Sequence, residues 1–259
     1  MTWVLLRGLM REKRHWGDFL NTFESAFPDE EVITIDFPGN GECHQQASAS
    51  TIQGMLEAAR VQVNARNLPG NIRLLAISLG AMVAVAWAQT YPQEVQRMVL
   101  INTSLAPHNR FYQRLRPSNY PRLLGTMLFG NVRQREQLVC DLTSNQTSSA
   151  AAKMIVQAWI DYANQYPITR RNIVRQLMAA MRYQAPAQAP QDQILLLAGA
   201  ADRLVNPICS TLLAAKWHCP LLVHPLAGHD LPLDDGAWII AQIQRWLRDE
   251  GKPSSMHLI

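Results

Sequence analysis

Three short stretches carry the residue types that nucleophilic catalysis requires. Ser78 lies in LLAISLGAMVAVAWA, where one apolar run passes through the serine into another, so the pattern predicts a strand, a sharp turn at Ser78 and a buried helix. Ala76 and Gly80 stand two residues to either side, and small residues are what a strained turn of this kind tolerates. A serine hydroxyl is a poor nucleophile near neutral pH until a neutral imidazole takes its proton, and that imidazole needs a carboxylate to fix its tautomer. Asp202, in GAADRLVNP, and His229, in PLAGHDLPLDD, each follow an apolar strand-like run and supply those two groups. His15, His44, His108, His218, His224 and His257 sit in no comparable setting. Asp230, Asp234 and Asp235 are too close in sequence to His229 to orient it and read as loop and helix-capping residues. Asp36, just before the FPGNG turn, reads as an acceptor for that turn's amides.

The elements that must position these residues follow from the apolar periodicity. From residue 2 to 103 short apolar strands, TWVLLR, EVITID, IRLLAI and RMVLIN, alternate with amphipathic helices. Trp16, Leu20, Phe23 and Phe27 define one helix face, and Ile52, Leu56 and Val63 another. The rhythm resumes with QILLLAG, a helix near 207–216, PLLVHP and a last helix carrying Trp238, Ile239, Ile243, Trp246 and Leu247. Strand-helix alternation predicts an α/β fold with a mostly parallel sheet and helices on both faces. Residues 104–186 break the rhythm with a helical stretch punctuated by Pro107, Pro117, Pro121 and Pro167, and APAQAP (185–190) reads as the hinge back into the sheet. The expected organisation is a core of residues 1–103 and 187–259 interrupted by a helical cap over 104–186.

Composition bounds the class. A chain of 259 residues, 48% apolar and 17% charged, suffices for one sizeable core. The first ten residues lack a basic stretch followed by an apolar one, and no apolar run reaches membrane-spanning length, so a cytoplasmic protein is expected. Cys43, Cys140, Cys209 and Cys219 show neither metal-ligand nor disulfide spacing, and no metal or organic cofactor is expected. Trp16, Trp87, Trp159, Trp217, Trp238 and Trp246 read as packing residues. The net charge is +4, yet residues 105–185 hold eleven basic against three acidic side chains, which marks that segment as a separate basic unit. A solvated charged face is the simpler account of it; a docking rim for an acidic partner is the alternative.

On AISLG, GAADRLVNP, AGHDLPLD, LLRGLMREKRHW and IDFPGNGE, the chain resembles the α/β-hydrolase fold superfamily over nearly its whole length, in the order Ser, Asp, His that this family uses. The resemblance implies a serine carboxylesterase with Ser78 as nucleophile, His229 as base and Asp202 as its orienter, and a small ester or acyl compound as substrate. It further implies an oxyanion hole formed by the backbone N–H groups of Leu9 and Leu79. Serine at the nucleophile position disfavours the dehalogenase and epoxide hydrolase chemistries, which use aspartate there. Arg7 stands where many relatives have histidine, and a guanidinium there is expected to attract an anionic substrate group. Relative to larger family members one or two leading strands are expected to be lacking. Among the relatives, the pimeloyl-[acyl-carrier protein] methyl ester esterase group of biotin synthesis fits the basic cap, and Arg110, Arg114, Arg116 and Arg122 are then candidates for an acidic carrier protein. Thioesterase, carbon-carbon bond hydrolase and lyase chemistries use the same three residues and stay open, as does a non-catalytic binding protein; nucleic-acid binding is not expected.

Overall fold

The computed structural model describes residues 1–66, 71–146 and 150–248. Six strands form a single sheet: β1 (Thr2–Leu6), β2 (Glu31–Ile35), β3 (Ile72–Ile77), β4 (Val95–Ile101), β5 (Ile194–Gly199) and β6 (Leu221–His224). All neighbouring pairs among them are parallel, in the order β2-β1-β3-β4-β5-β6. The chain therefore works outward in one direction from β1 to β2 and in the other from β3 to β6. The strand order reverses between β1 and β3, and their carboxyl ends diverge into the crevice where such sheets bind ligands.

Alternation along the buried strands sorts side chains to two faces. On β1, Trp3 and Leu5 join a cluster with Phe19, Phe23, Phe27, Ile239 and Ile243 from helices α1 (Asp18–Ala26) and α10 (Leu231–Arg248) and their margins. Val4 and Leu6 join the opposite cluster, packed against α2 (Ile52–Asn64), α3 (Leu79–Thr90) and α9 (Ile208–Trp217). Helix α3 is apolar on all sides and buried from Leu79 to Ala88, as its sequence predicts. The first helix departs from its periodicity. Trp16 ends a short 3-10 turn, Gly17 takes φ 53°, and α1 starts only at Asp18, so Trp16 packs on the same cluster from outside the helix.

Between β4 and β5 the chain is helical: α4 (Phe111–Arg114), α5 (Tyr120–Phe129), α6 (Val132–Thr143), α7 (Ala150–Gln165) and α8 (Arg170–Arg182). Cys140, Val156, Trp159 and Ile160 form a small apolar core between α6 and α7. Much of the attachment to the sheet domain is polar. Arg11 donates to Glu136 at 2.6 Å and lies 4.3 Å over the Trp159 ring, while Arg14 lies over Tyr162 and Tyr166 at 4.3 and 4.7 Å. The stretch read as a hinge is pinned at its start, because Ala185 is buried and donates to Ala106 O.

Helix α3 meets β1 at Gly80, where a Cβ would collide with the carbonyl oxygens of Leu6 and Arg7. Gly80→Ala is expected to lower stability by about 1–3 kcal/mol through overpacking. Gly125, inside α5 with nothing within 4 Å of a built Cβ, is the contrasting site. Gly125→Ala should raise stability by about 0.5–1 kcal/mol. Urea unfolding midpoints check both signs, and equal effects would contradict the account.

Candidate active site

Ser78 occupies the turn between β3 and α3 with φ 56° and ψ −115°, a conformation that a non-glycine residue adopts only when its surroundings enforce it. Its N–H donates to Ile101 O at 3.0 Å, fixing the turn against the end of β4. Helix α3 begins at Leu79, so the Leu79 N–H belongs to the first turn, which has no carbonyl one turn earlier to bind. Gly8, two residues past the end of β1, lies beside this turn: a Cβ on Gly8 would lie 3.4 Å from Ser78 Cβ and 3.9 Å from Oγ. The Leu9 N–H takes no hydrogen-bond partner among the described residues. The structure thus brings Leu9, Ser78 and Leu79 together at the point where the strand order reverses.

Asp202 and His229 meet in the loops after β5 and β6. Asp202 Oδ2 is 2.7 Å from His229 Nδ1, while its Oδ1 accepts the N–H groups of Leu204 and Val205 at 2.8 and 2.9 Å. Both residues are buried, at 2% and 5% exposure. An ionised carboxylate accepts only, so Nδ1 carries a proton and Nε2 is left to receive another. Burial alone would push the imidazole pKa down; the Asp202 charge and hydrogen bond, assisted by the Asp230 charge, outweigh it and raise the value from that of an ordinary histidine. The Ser78 hydroxyl makes no hydrogen bond to His229 among the described residues, so that arm of the relay is open in this structure. Such contacts often tighten only with substrate bound.

Asn102 links these parts, and sequence reasoning missed it. It follows β4 with φ 48°, a left-handed conformation that asparagine tolerates better than most residues. Its Nδ2 donates to the carbonyls of Gly228 and His229 at 3.0 and 2.7 Å, and its Oδ1 accepts Gly199 N–H at 2.9 Å. One buried amide therefore ties the ends of β4 and β5 to the His229 loop. The only sequence signal was a polar residue ending an apolar strand.

Several expectations need correction. Arg7 does not present its charge to the crevice: it is 2% exposed, pairs with both carboxylate oxygens of Asp230 at 3.0 and 2.6 Å, and lies 4.8 Å over the Trp16 ring. Asp230, read as a loop or capping residue, is the acid of that buried pair. Arg114 is half-buried and donates to Ala180 O at 2.7 Å, so it ties α4 to α8 rather than facing outward. Arg110 and Arg122 are exposed, and Arg116 with Arg122 lines a cavity of about 440 Å³ together with Asn119, Asp141 and Arg203. Arg203, which follows Asp202, was not anticipated there. Asp36 accepts the Lys13 and Glu42 N–H groups at 2.7 and 3.1 Å, one from the loop after β1 and one just past the FPGNG turn, rather than the amides of that turn as read. His257 lies outside the described residues.

Comparison with known proteins supports the assignment of the fold. The alpha/beta hydrolase family profile matches residues 3–242. The biotin biosynthesis bifunctional protein BioHC of Teredinibacter turnerae is 34% identical over 102 residues, 39% of this chain and 17% of that protein. Much less than two thirds of that protein's length is thus matched. Among solved structures, Lip1 of Acinetobacter baumannii AYE superposes with a TM-score of 0.77 at 22% identity, covering 96% of this chain and 83% of that one. The 2-hydroxy-6-oxo-6-phenylhexa-2,4-dienoate hydrolase of Rhodococcus sp. strain RHA1 superposes with a TM-score of 0.76 at 18% identity, covering 95% and 90%.

Two measurements test the geometry directly. Titration of the His229 ring by NMR should give a midpoint above that of a free histidine, and Asp202→Asn should lower it; a midpoint indifferent to that change would contradict the pairing. Arg7→Met should cost about 3–5 kcal/mol by stranding the Asp230 charge, and adding Asp230→Leu should recover much of the loss in denaturant unfolding. The sheet, the strained serine turn and the family match over residues 3–242 agree that this chain belongs to the alpha/beta hydrolase family.

Proposed function

We propose that the protein hydrolyses carboxylic esters through an acyl-enzyme formed on Ser78, with His229 as general base and acid and Asp202 as its orienter. The observation that carries this proposal is the buried 2.7 Å Asp202–His229 pair in the loops after β5 and β6, at the same carboxyl edge of the parallel sheet where a serine is held at φ 56° after β3. Ser78 Oγ attacks the ester carbonyl carbon as its proton passes to His229 Nε2, and the carbonyl electron pair moves onto oxygen. The Leu9 and Leu79 N–H groups receive that oxyanion, a contribution worth on the order of 3 kcal/mol per donor in comparable sites. Collapse of the tetrahedral intermediate breaks the bond to the leaving oxygen, which takes the proton from His229. Water then repeats the sequence on the acyl-enzyme, its proton going to His229, and returns Ser78 free. No step requires a metal or an organic cofactor.

The favoured substrate is a methyl ester of an acyl group carried on an acyl carrier protein, as in biotin synthesis. The matched stretch of BioHC supports it, as do the exposed Arg110 and Arg122 and the cavity where Arg116, Arg122 and Arg203 converge, which suit an acidic partner. The helical section between β4 and β5 then acts as a lid that selects the acyl group. A reducing, cytoplasmic setting belongs to the same proposal and is supported by four unpaired cysteines; no helix among the described residues is long and apolar enough to cross a membrane.

Ser78→Ala should reduce p-nitrophenyl butyrate hydrolysis on the order of 10⁴-fold and abolish labelling by a fluorophosphonate; undiminished turnover would defeat the assignment. A panel of esters, thioesters, carbon-carbon substrates and carrier-tethered acyl groups identifies the reaction. Turnover of a carrier-tethered methyl ester should fall with rising salt and with Arg110, Arg116 and Arg122 changed to Gln, while the free ester is unaffected; equal rates would reject the carrier.

A further inference from the structure

Gln176 sits in α8 with no exposed surface, and its side-chain amide is spent entirely on the sheet domain. Its Oε1 accepts the Met10 N–H at 3.0 Å, and its Nε2 donates to Asn40 Oδ1 and Ser48 Oγ at 2.9 and 3.1 Å. Asn40 in turn donates to Arg11 O at 3.1 Å, so the network grips the loop after β1 at two consecutive residues. A fully buried amide is costly unless its polar atoms are satisfied, and here the partners lie on a different part of the molecule.

The gripped loop is under backbone constraint. Met10 has φ 61°, and the Arg11 N–H closes on Gly8 O at 3.3 Å. Residues 8–11 thus form a turn with positive φ at its third position, where a type II turn ordinarily has glycine. A methionine held at positive φ is strained, so without a partner for its N–H the turn relaxes away from this conformation and carries the adjoining Gly8–Leu9 peptide, the one that bears the Leu9 N–H, with it. The Gln176 carbonyl oxygen opposes that relaxation. The same turn carries the unpartnered Leu9 N–H and starts at Gly8, against Ser78.

We propose that Gln176 is a positioning residue for the oxyanion hole: by accepting the Met10 N–H, it holds the Gly8–Arg11 turn in the conformation that offers the Leu9 N–H to the developing oxyanion. This rests on Leu9 serving as oxyanion donor in the ester hydrolysis proposed above. The substrate-selecting helical section is then coupled to the chemistry, since the donor is in place only while α8 is seated on the sheet domain.

Gln176→Met keeps the size of the side chain and removes the acceptor. For p-nitrophenyl butyrate, kcat should fall roughly 10- to 100-fold, below the cost of deleting a donor outright, with KM changed less than about twofold. Glycine adopts positive φ freely, so adding Met10→Gly should restore about half of the lost log kcat; a packing role for Gln176 would not be repaired by a change at the distant turn. Unchanged kcat in Q176M, or no recovery on adding M10G, overturns the proposal. If Q176M does not fold, unchanged kcat in Gln176→Asn, whose shorter amide does not reach the Met10 N–H, overturns it. Wild-type protein that neither hydrolyses esters nor labels at Ser78 removes the underlying reaction instead, a different outcome from active enzyme indifferent to Gln176.

Discussion

A carboxylate withdrawn from water must find its hydrogen bonds inside the protein, and Asp202 finds three. Two amides of its own loop, Leu204 and Val205, take one oxygen, and His229 Nδ1 takes the other. The first two bonds fix the loop after β5; the third fixes the ring on the loop after β6. From that point the remaining geometry follows by short connections. Asn102 binds the His229 carbonyl and stands next to Ile101, whose carbonyl accepts the Ser78 N–H. The proposed nucleophile, acid and base are thereby indexed to the ends of β3, β5 and β6 within a run of four adjacent parallel strands, a rigid frame on which small displacements are costly.

The Arg7–Asp230 pair adds a second connection of the same kind. Arg7 precedes Gly8 at the end of β1, and Asp230 follows His229, so one buried ion pair ties the loop that offers Leu9 to the loop that offers the imidazole. Each charge is present because the other is. Buried pairs seldom add net stability over apolar residues of like volume, but removing one partner is expensive. The pair thus contributes registration of the two loops more than free energy. It also places a negative charge beside His229 that favours the protonated imidazole, partly offset by the guanidinium.

The helical section is held on the sheet domain in another way. Its own apolar core is small, and α5 buries no residue fully. Arg11 with Glu136, Arg14 over two tyrosines, and the amides of Asn172 and Gln176 make much of the junction, beside apolar packing of Ala179 and Tyr183 on the sheet cluster. Polar bonds are directional, so they define one seat for the section where an apolar contact would allow sliding. Such bonds can also exchange with water, which suits the lid role proposed for the section.

Strand positions, most helix faces and the serine turn were legible in the sequence because each depends on local periodicity and on the small residues at 76 and 80; the order of strands in the sheet was not. Ser78, Asp202 and His229 could be named because each follows an apolar strand, and parallel strands deliver their carboxyl ends to one edge. The roles of Arg7, Asp230, Asn102 and Gln176 were not legible. Whether an arginine faces solvent or a buried acid 223 residues away depends on how separate loops pack, and no local pattern encodes that. The same holds for Gln176, whose partners belong to two loops more than 120 residues earlier. The amino-acid sequence by itself determined which groups could react, through periods of two and 3.6 residues and the chemistry of side chains. Only the tertiary structure decided which charges cancel and which amides brace the reacting loops, because those pairings are set by desolvation between distant segments.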